Sequence, residues 1–459
     1  MDFDLLAAAR DLIAADSVSA RGNLRAVEVL ERVAQGLGLE SYRQEAEALG
    51  TRHANLIVYP KGAPPKDGSL LLVTHTDTVG SGPLELWTKT DPWVLAQEDD
   101  TLYGLGVADV KLDSLAKLQA LASAPPAAAG KVAFCGTFAE EVGCLGAKHF
   151  IQHSSFRPAW ASCGEPSELR IIDAHKGYLV AEMTIADPQA ARASPSRLRL
   201  TFAGKAAHSS TPRLGINAID RAFDFCTRHE VSIEWAEGGD LANKVPARCV
   251  IEVAARPGLA EAAQAEGVKV EEVTGSGASI SRPLDLARRI AQVLQEAVTS
   301  AAPLEDPRFD PATAVFNVGV VATEGDRLDF TCDARLLPGH DPIALFETIE
   351  SFGSSVAREL GLDLRIHRSR ANPAMALPSQ STLRDAAMEA SRSLGMNPTP
   401  QAKPTNTEGG VFVSAGIEAI VFGPGRSTGN AHTANEWQSL TQIRDASRWY
   451  SQLIVNLCR

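Results

Sequence analysis

Side chains that bind cations or move protons recur in this chain where apolar runs end. His75 and Asp77 close the run 70–73 (Leu-Leu-Leu-Val), Asp109 follows Gly104-Leu105-Gly106, and Glu140-Glu141 follows the apolar run 131–138. Glu165 comes after Cys163-Gly164, and His432 lies in Gly429-Asn430-Ala431-His432. Two imidazoles, several carboxylates and no thiolate suit zinc, cobalt or manganese in a hydrolytic site, whereas structural zinc usually recruits cysteine. Two ions ~3.5–4 Å apart need one shared carboxylate and about two further ligands each. Five residues meet that need: Asp109 as the bridge, His75 with Glu165 on one ion, and Glu141 with His432 on the other. Glu140 is then left beside a ligand, where a general base belongs. His75 and Asp77 are two apart on a strand end and so share a face, which lets the carboxylate take the ring's other proton. Each residue also has a plainer reading. Glu140-Glu141 would sit well at a helix N-terminus, Glu165 before Pro166 could be a turn residue, and His432 a loop histidine.

The elements that would hold these residues follow from apolar periodicity. Helices are expected at 2–14, with Asp2 as N-cap, and at 23–36; strands at 54–59 and 69–74, with a Gly/Pro/Lys turn between them. A helix at 112–123, strands at 131–138 and 159–163, and a helix from about 145 complete an α/β pattern with a mainly parallel sheet. From about 177 the grammar changes to strands at 178–185, 197–202, 231–235, 248–254, 315–321, 327–334 and 362–367, with helices at 215–228 and 341–358. That describes an α+β lid with an antiparallel sheet. The Ala/Glu/Gly-rich segment 256–312, with one amphipathic helix, reads as an insertion. The α/β pattern resumes at about 373, with a helix at 381–394, a strand at 418–422 and a last helix at 440–456. The expected domains are thus 1–176 with 372–459, interrupted by 177–371. Gly104-Leu105-Gly106 lacks the third glycine of a dinucleotide loop, and Gly423-Pro424-Gly425 reads as a rigid turn.

At 459 residues two domains are the natural division, and 44% apolar with 22% charged residues describes a globular chain. A net charge of −12 argues against a nucleic-acid partner, and bound cations would offset part of it. No apolar run approaches the ~20 residues of a membrane span. The acidic start Met1-Asp2-Phe3-Asp4 is unlike a secretory signal, and seven scattered cysteines suit free thiols in a cytoplasmic protein.

The order and local contexts resemble the metal-dependent amidohydrolases that include acetylornithine deacetylase, succinyl-diaminopimelate desuccinylase, glutamate carboxypeptidase and aminoacyl-histidine dipeptidase, enzymes with a zinc-exopeptidase-like catalytic domain. The matching pieces are Thr74-His75-Thr76-Asp77, Gly104-x-Gly106-x-x-Asp109-x-Lys111, Thr137-x-x-Glu140-Glu141-x-Gly143, Gly164-Glu165-Pro166-Ser167, Gly204-Lys205-Ala206-Ala207-His208-Ser209, and Ala431-His432-Thr433-x-x-Glu436. The resemblance covers nearly the whole chain apart from 256–312. It implies the ligand set above, Asp77 as the residue orienting His75, a cis peptide at Asp109-Val110, and a homodimer through the lid. It implies that the histidine matching His208 reaches a partner subunit's active site and stabilises the oxyanion. Asn243 and Arg335 look like substrate-facing lid residues, Arg335 as a bidentate holder of a substrate carboxylate or, alternatively, in a salt bridge within the lid sheet. Leu112-Asp113 departs from the family's glycine pair and Ala139 from its acidic residue, so tuning of the site is expected there.

The expected function is hydrolysis of the amide bond of an N-acyl amino acid by a di-zinc enzyme (cobalt or manganese being alternatives). A dipeptidase or carboxypeptidase of the same family is the alternative, and a catalytically silent binding protein is the rival from another class. An aminopeptidase would need an acidic anchor for a free amine.

Overall fold

The computed structural model describes residues 3–275 and 277–458 in two compact units, Met1–His175 with Met375–Arg459, and Lys176–Ala374. In the first unit a nine-stranded mixed sheet runs in the order Leu39–Ala48, Thr51–Pro60, Val132–Thr137, Leu70–His75, Trp160–Cys163, Glu418–Val421, Ile172–His175, Met375–Ala376, with Gln401–Lys403 also beside Ile172–His175. Its four central strands, from Val132–Thr137 to Glu418–Val421, are parallel, and Val73 stands level with Cys135 on one side and Cys163 on the other.

Strands covered on both faces read as continuous apolar runs, which is why this part of the sheet is visible in the sequence. Leu70 and Leu72 enter a core with the helices Leu5–Ala14, Leu24–Gly36, Lys111–Ala122, Thr382–Ser393 and Leu440–Leu457. Leu71 and Val73 point the other way, into a core with Leu145–His153 and Gly409–Ser414. Burying a side chain of this size contributes about 1.5–3 kcal/mol, and a one-residue slip would exchange the two faces, so the register that sets His75 at the strand end is firmly held. A small sheet of Ala96–Glu98, Thr101–Tyr103 and Trp437–Ser439 ties the 430s to the segment leading to Asp109.

The second unit is an eight-stranded antiparallel sheet in the order Lys269–Thr274, Ser196–Ala203, Arg248–Ala254, Ile233–Gly238, Val315–Glu324, Arg327–Leu336, Gly177–Ala186, Asp363–Asn372. The segment 256–312 is more ordered than its composition suggests. It supplies the helix Leu259–Ala265, the edge strand Lys269–Thr274 and the helix Ser281–Ser300, whose Leu284, Ile290, Leu294 and Val298 are buried. The edge strand escaped the sequence reading because it is mostly exposed and polar. The ten-residue strand Leu39–Ala48 escaped because it is polar and only partly buried. The first helix starts at Leu5 with Asp4 as its cap, its carboxylate accepting the Ala7 N–H at 3.0 Å; the expected cap Asp2 lies outside the described residues. No described helix is long and apolar enough to cross a membrane, and all seven cysteines are buried and outside any disulfide.

Candidate metal centre

The strand Leu70–His75 delivers His75 with both ring nitrogens committed. Nδ1 lies 3.1 Å from the Asp77 carbonyl and 3.7 Å from its carboxylate, so the main chain is the nearer partner and Nε2 is the nitrogen turned to the site. Nε2 sits 3.2 Å from Asp109 Oδ1. The other oxygen of Asp109, Oδ2, sits 3.2 Å from Nε2 of His432, which also faces Glu141 Oε1 at 3.1 Å. One carboxylate therefore spans two imidazoles, one oxygen to each. Asp109-Val110 is a cis peptide.

Asp77 reaches further than one histidine. Its Oδ2 accepts from Ser19 Oγ at 2.6 Å, its Oδ1 from the Glu140 N–H at 3.0 Å, and Oδ2 again from the Glu141 N–H at 3.4 Å. The same carboxylate thus fixes the turn bearing the candidate base and a candidate ligand. Removal of a partner behind a ligand weakens metal binding by about 10–100-fold. Asp77→Ala is expected to fall in that range when zinc is titrated into the protein, and unchanged affinity would show that the main-chain carbonyl suffices.

Ligand atoms of His75, Glu140 and Glu165 lie within 4.8 Å of one another, as do those of His75, Asp109 and Glu141. His75, Asp109, Glu140, Glu141, Glu165 and His432 are therefore gathered beyond the carboxyl end of the parallel strand Leu70–His75, where open α/β sheets bind ligands. Four carboxyl groups surround two imidazoles and the Lys403 ammonium, which is 3.3 Å from Glu165 Oε2. Positive charge is what the nest lacks, and the titration of its groups says so. Hydrogen bonds to Asp109 and Glu141 raise His432 to about 11. Burial disfavours a charged His75, yet Asp109, Asp77 and Glu140 together carry it well above its ordinary value. Burial, joined by the charges of Glu165 and Glu141, pushes Glu140 well up. Imidazole and carboxylate donors in a negatively charged nest fit divalent cations. His75, Glu165, Asp109, Glu141 and His432 would hold them.

Several residues here had no role in the sequence reading. Glu436 accepts the N–H groups of Gly106 (3.0 Å), Ala108 (2.7 Å) and Asp109 (2.9 Å), fixing the backbone that carries the Asp109 carboxylate. It stood in the motif around His432, which was its only signal. Cys144 offers its thiol to Glu140 Oε1 at 3.5 Å. Glu408 is buried, accepts from Thr137 Oγ1 at 2.9 Å, and is raised by burial to about 7. Neither Lys403 nor Glu408 lies in a periodic segment, so nothing in the sequence singled them out.

In the second unit His208, Asn243 and Arg335 converge on Ser209. The Ser209 N–H donates to the Asn243 carbonyl at 3.0 Å, and Arg335 Nη2 donates to Ser209 Oγ at 3.1 Å. Arg335 is also paired bidentately with Asp333, at 2.9 and 2.8 Å. The lid salt bridge is thus present, and the Nε–Nη2 edge of the guanidinium is taken by a lid carboxylate. Asn243 is exposed. His208 Nδ1 accepts the Ser210 N–H at 3.1 Å, which leaves the neutral ring's proton on Nε2.

A family model decides the wider assignment: the description peptidase family M20/M25/M40 matches residues 71–456. The chain belongs to peptidase family M20/M25/M40. Among M20 relatives, an acetylornithine deacetylase of Pasteurella multocida is 34% identical over 208 residues, 44% of this chain and 47% of the relative, so the match spans about half that protein's length. An aminoacylhistidine dipeptidase of Vibrio alginolyticus shares the fold over 98% of this chain and 96% of its own, with a TM-score of 0.67 and 16% identity. A Bacillus subtilis protein described as a dinuclear metal-binding peptidase of the M20 family covers 98% and 96%, with a TM-score of 0.54 and 13% identity. At these identities the structural likeness is one of fold.

Proposed function

We propose that this M20 protein is a two-metal hydrolase that cleaves the amide bond of an N-acyl amino acid. One observation carries the reading: both oxygens of Asp109 are engaged at 3.2 Å, one by His75 and one by His432, the arrangement of a carboxylate shared between two cation sites. Zinc is the ion proposed, with cobalt or manganese compatible with the same donors. When bound, the ions supply Lewis acidity and make water a stronger acid.

The chain's own residues do the rest. Glu140, its N–H tied to Asp77 and one oxygen facing Cys144, takes a proton from the attacking water at its carboxylate and returns it to the leaving amine nitrogen. Burial holds Glu140 above the usual carboxylate range. His75 is kept in one tautomer by the Asp77 carbonyl. From the lid, His208 is assigned the Nε2–H donor to the developing oxyanion. Arg335 acts in this reading through Ser209, steadying the 208–210 turn, and the exposed Asn243 is left to meet substrate. A homodimer through the lid belongs to the same proposal.

A dipeptidase or carboxypeptidase of the same family is the second reading, kept open because the deacetylase match covers only 44% of the chain. A panel of N-acetyl amino acids, N-succinyl amino acids and dipeptides, each run with zinc, with cobalt and with a chelator, separates the two. Hydrolysis of an amide beside a free carboxylate, abolished by chelation and restored by zinc, is expected. Chelator-insensitive cleavage would overturn the metal reading, and no cleavage of any member by zinc-loaded protein would favour a silent binding protein.

A further inference from the structure

Behind the strand ends of the first unit lies a charged pair that touches neither imidazole. The side chains of Asp113 and Lys117 are 0% exposed and 2.7 Å apart. Lys117 Nζ also donates to Thr74 Oγ1 at 2.9 Å and to the Val73 carbonyl, so its three protons are all used. Thr74 Oγ1 donates to Asp113 Oδ2 at 2.9 Å. The Tyr450 hydroxyl stands 2.8 Å from both Asp113 Oδ1 and the Phe422 carbonyl, its one proton serving either, and its ring lies 4.9 Å from Lys117 Nζ. A buried ion pair is weak as a source of stability, because desolvation offsets its attraction. Its position is more informative than its energy.

Val73 and Thr74 immediately precede His75, and Gly164 immediately precedes Glu165. The Gly164 N–H bonds to the Val73 carbonyl at 2.7 Å. A methyl group on Gly164 would collide with Asp113 Oδ2, Lys117 Nζ and Thr74 Oγ1, so the pair fills the gap between the two strand ends completely. Phe422 precedes Gly423, where a Cβ would come within 2.6 Å of the Glu165 carbonyl. The network thus bonds to the strand Leu70–His75 at Val73 and Thr74 and reaches the residues that directly follow two neighbouring strands, Gly164 and Phe422.

We propose that Asp113, Lys117 and Tyr450 form a positioning network that sets the spacing of the strand ends bearing His75 and Glu165, and through it the affinity of the centre for its ions. The proposal rests on reading His75 and Glu165 as ligands to one ion. Its test is calorimetric zinc titration and the visible absorption of the cobalt-loaded protein, beside the melting temperature of the metal-free protein. Tyr450→Phe keeps the ring and removes only the hydroxyl; Lys117→Met removes the central donor. Both are expected to raise the dissociation constant of one ion by about 10–100-fold and to alter the cobalt spectrum. The paired change Asp113→Asn with Lys117→Met removes both charges at near-constant volume, and is expected to regain melting temperature relative to Lys117→Met alone without regaining affinity. If Lys117→Met fails to fold, Tyr450→Phe decides. Variants that melt lower yet bind both ions with wild-type affinity and an unchanged cobalt spectrum would overturn the proposal alone. A wild-type protein that takes up neither zinc nor cobalt would overturn the metal centre and the proposal with it.

Discussion

Glu140→Gln is expected to lower kcat by about 10²–10⁴-fold while zinc content and KM stay close to those of the parent protein. The magnitude is that of a lost general acid–base. The substitution is conservative in every other respect: glutamine has the same shape, and its main-chain N–H keeps the bond to Asp77 Oδ1 at 3.0 Å. What an amide cannot do is accept a proton from water and return it to nitrogen. The neighbouring Glu141, the proposed ligand that faces His432 at 3.1 Å, is untouched, so metal content is expected to survive. A variant that turns over near normally would remove Glu140 from the mechanism, and one that loses zinc as well would recast it as a ligand.

Asp109→Ala carries the second large effect. Each oxygen of Asp109 faces one imidazole, so in the proposed centre a single deletion would strip both cation sites of a charged donor and leave His75 and His432 without their shared partner. The loss in zinc affinity is expected to exceed the about 10–100-fold that follows from removing a residue behind a ligand. It should touch both ions, whereas His432→Ala should release one.

Legibility in the sequence tracked burial. The strand Leu70–His75 announced itself because both faces are covered, so its residues are apolar until the polar end reaches the site. The strand Leu39–Ala48 did not, because Glu40, Arg43, Glu45 and Glu47 belong to a half-exposed edge whose alternation is weak. The candidates His75, Glu141 and Glu165 were readable as polar residues at or just past the ends of buried strands, whereas Asp109 and His432 sit in turns and were readable only from their local contexts. Lys403 was not, since its partner Glu165 lies 238 positions away and only the fold brings them together. Asp113 and Lys117 form an intermediate case. Their i,i+4 spacing is that of an ordinary surface pair, and only the fully buried Leu112, Leu115, Ala116 and Leu118 around them mark the helix as enclosed on every side. Arg335 shows the converse limit, for its local context fitted two partners and the lid sheet supplies Asp333, two residues away.

The most direct test of the two-cation centre is elemental analysis of the wild-type protein and of Asp109→Ala after equilibration with zinc and removal of unbound metal. Two zinc ions per wild-type chain, and fewer than one in the variant at the same circular-dichroism signal, are the expected values. A correctly folded wild-type chain that retains no zinc, or an Asp109→Ala chain that still holds two, would contradict the account.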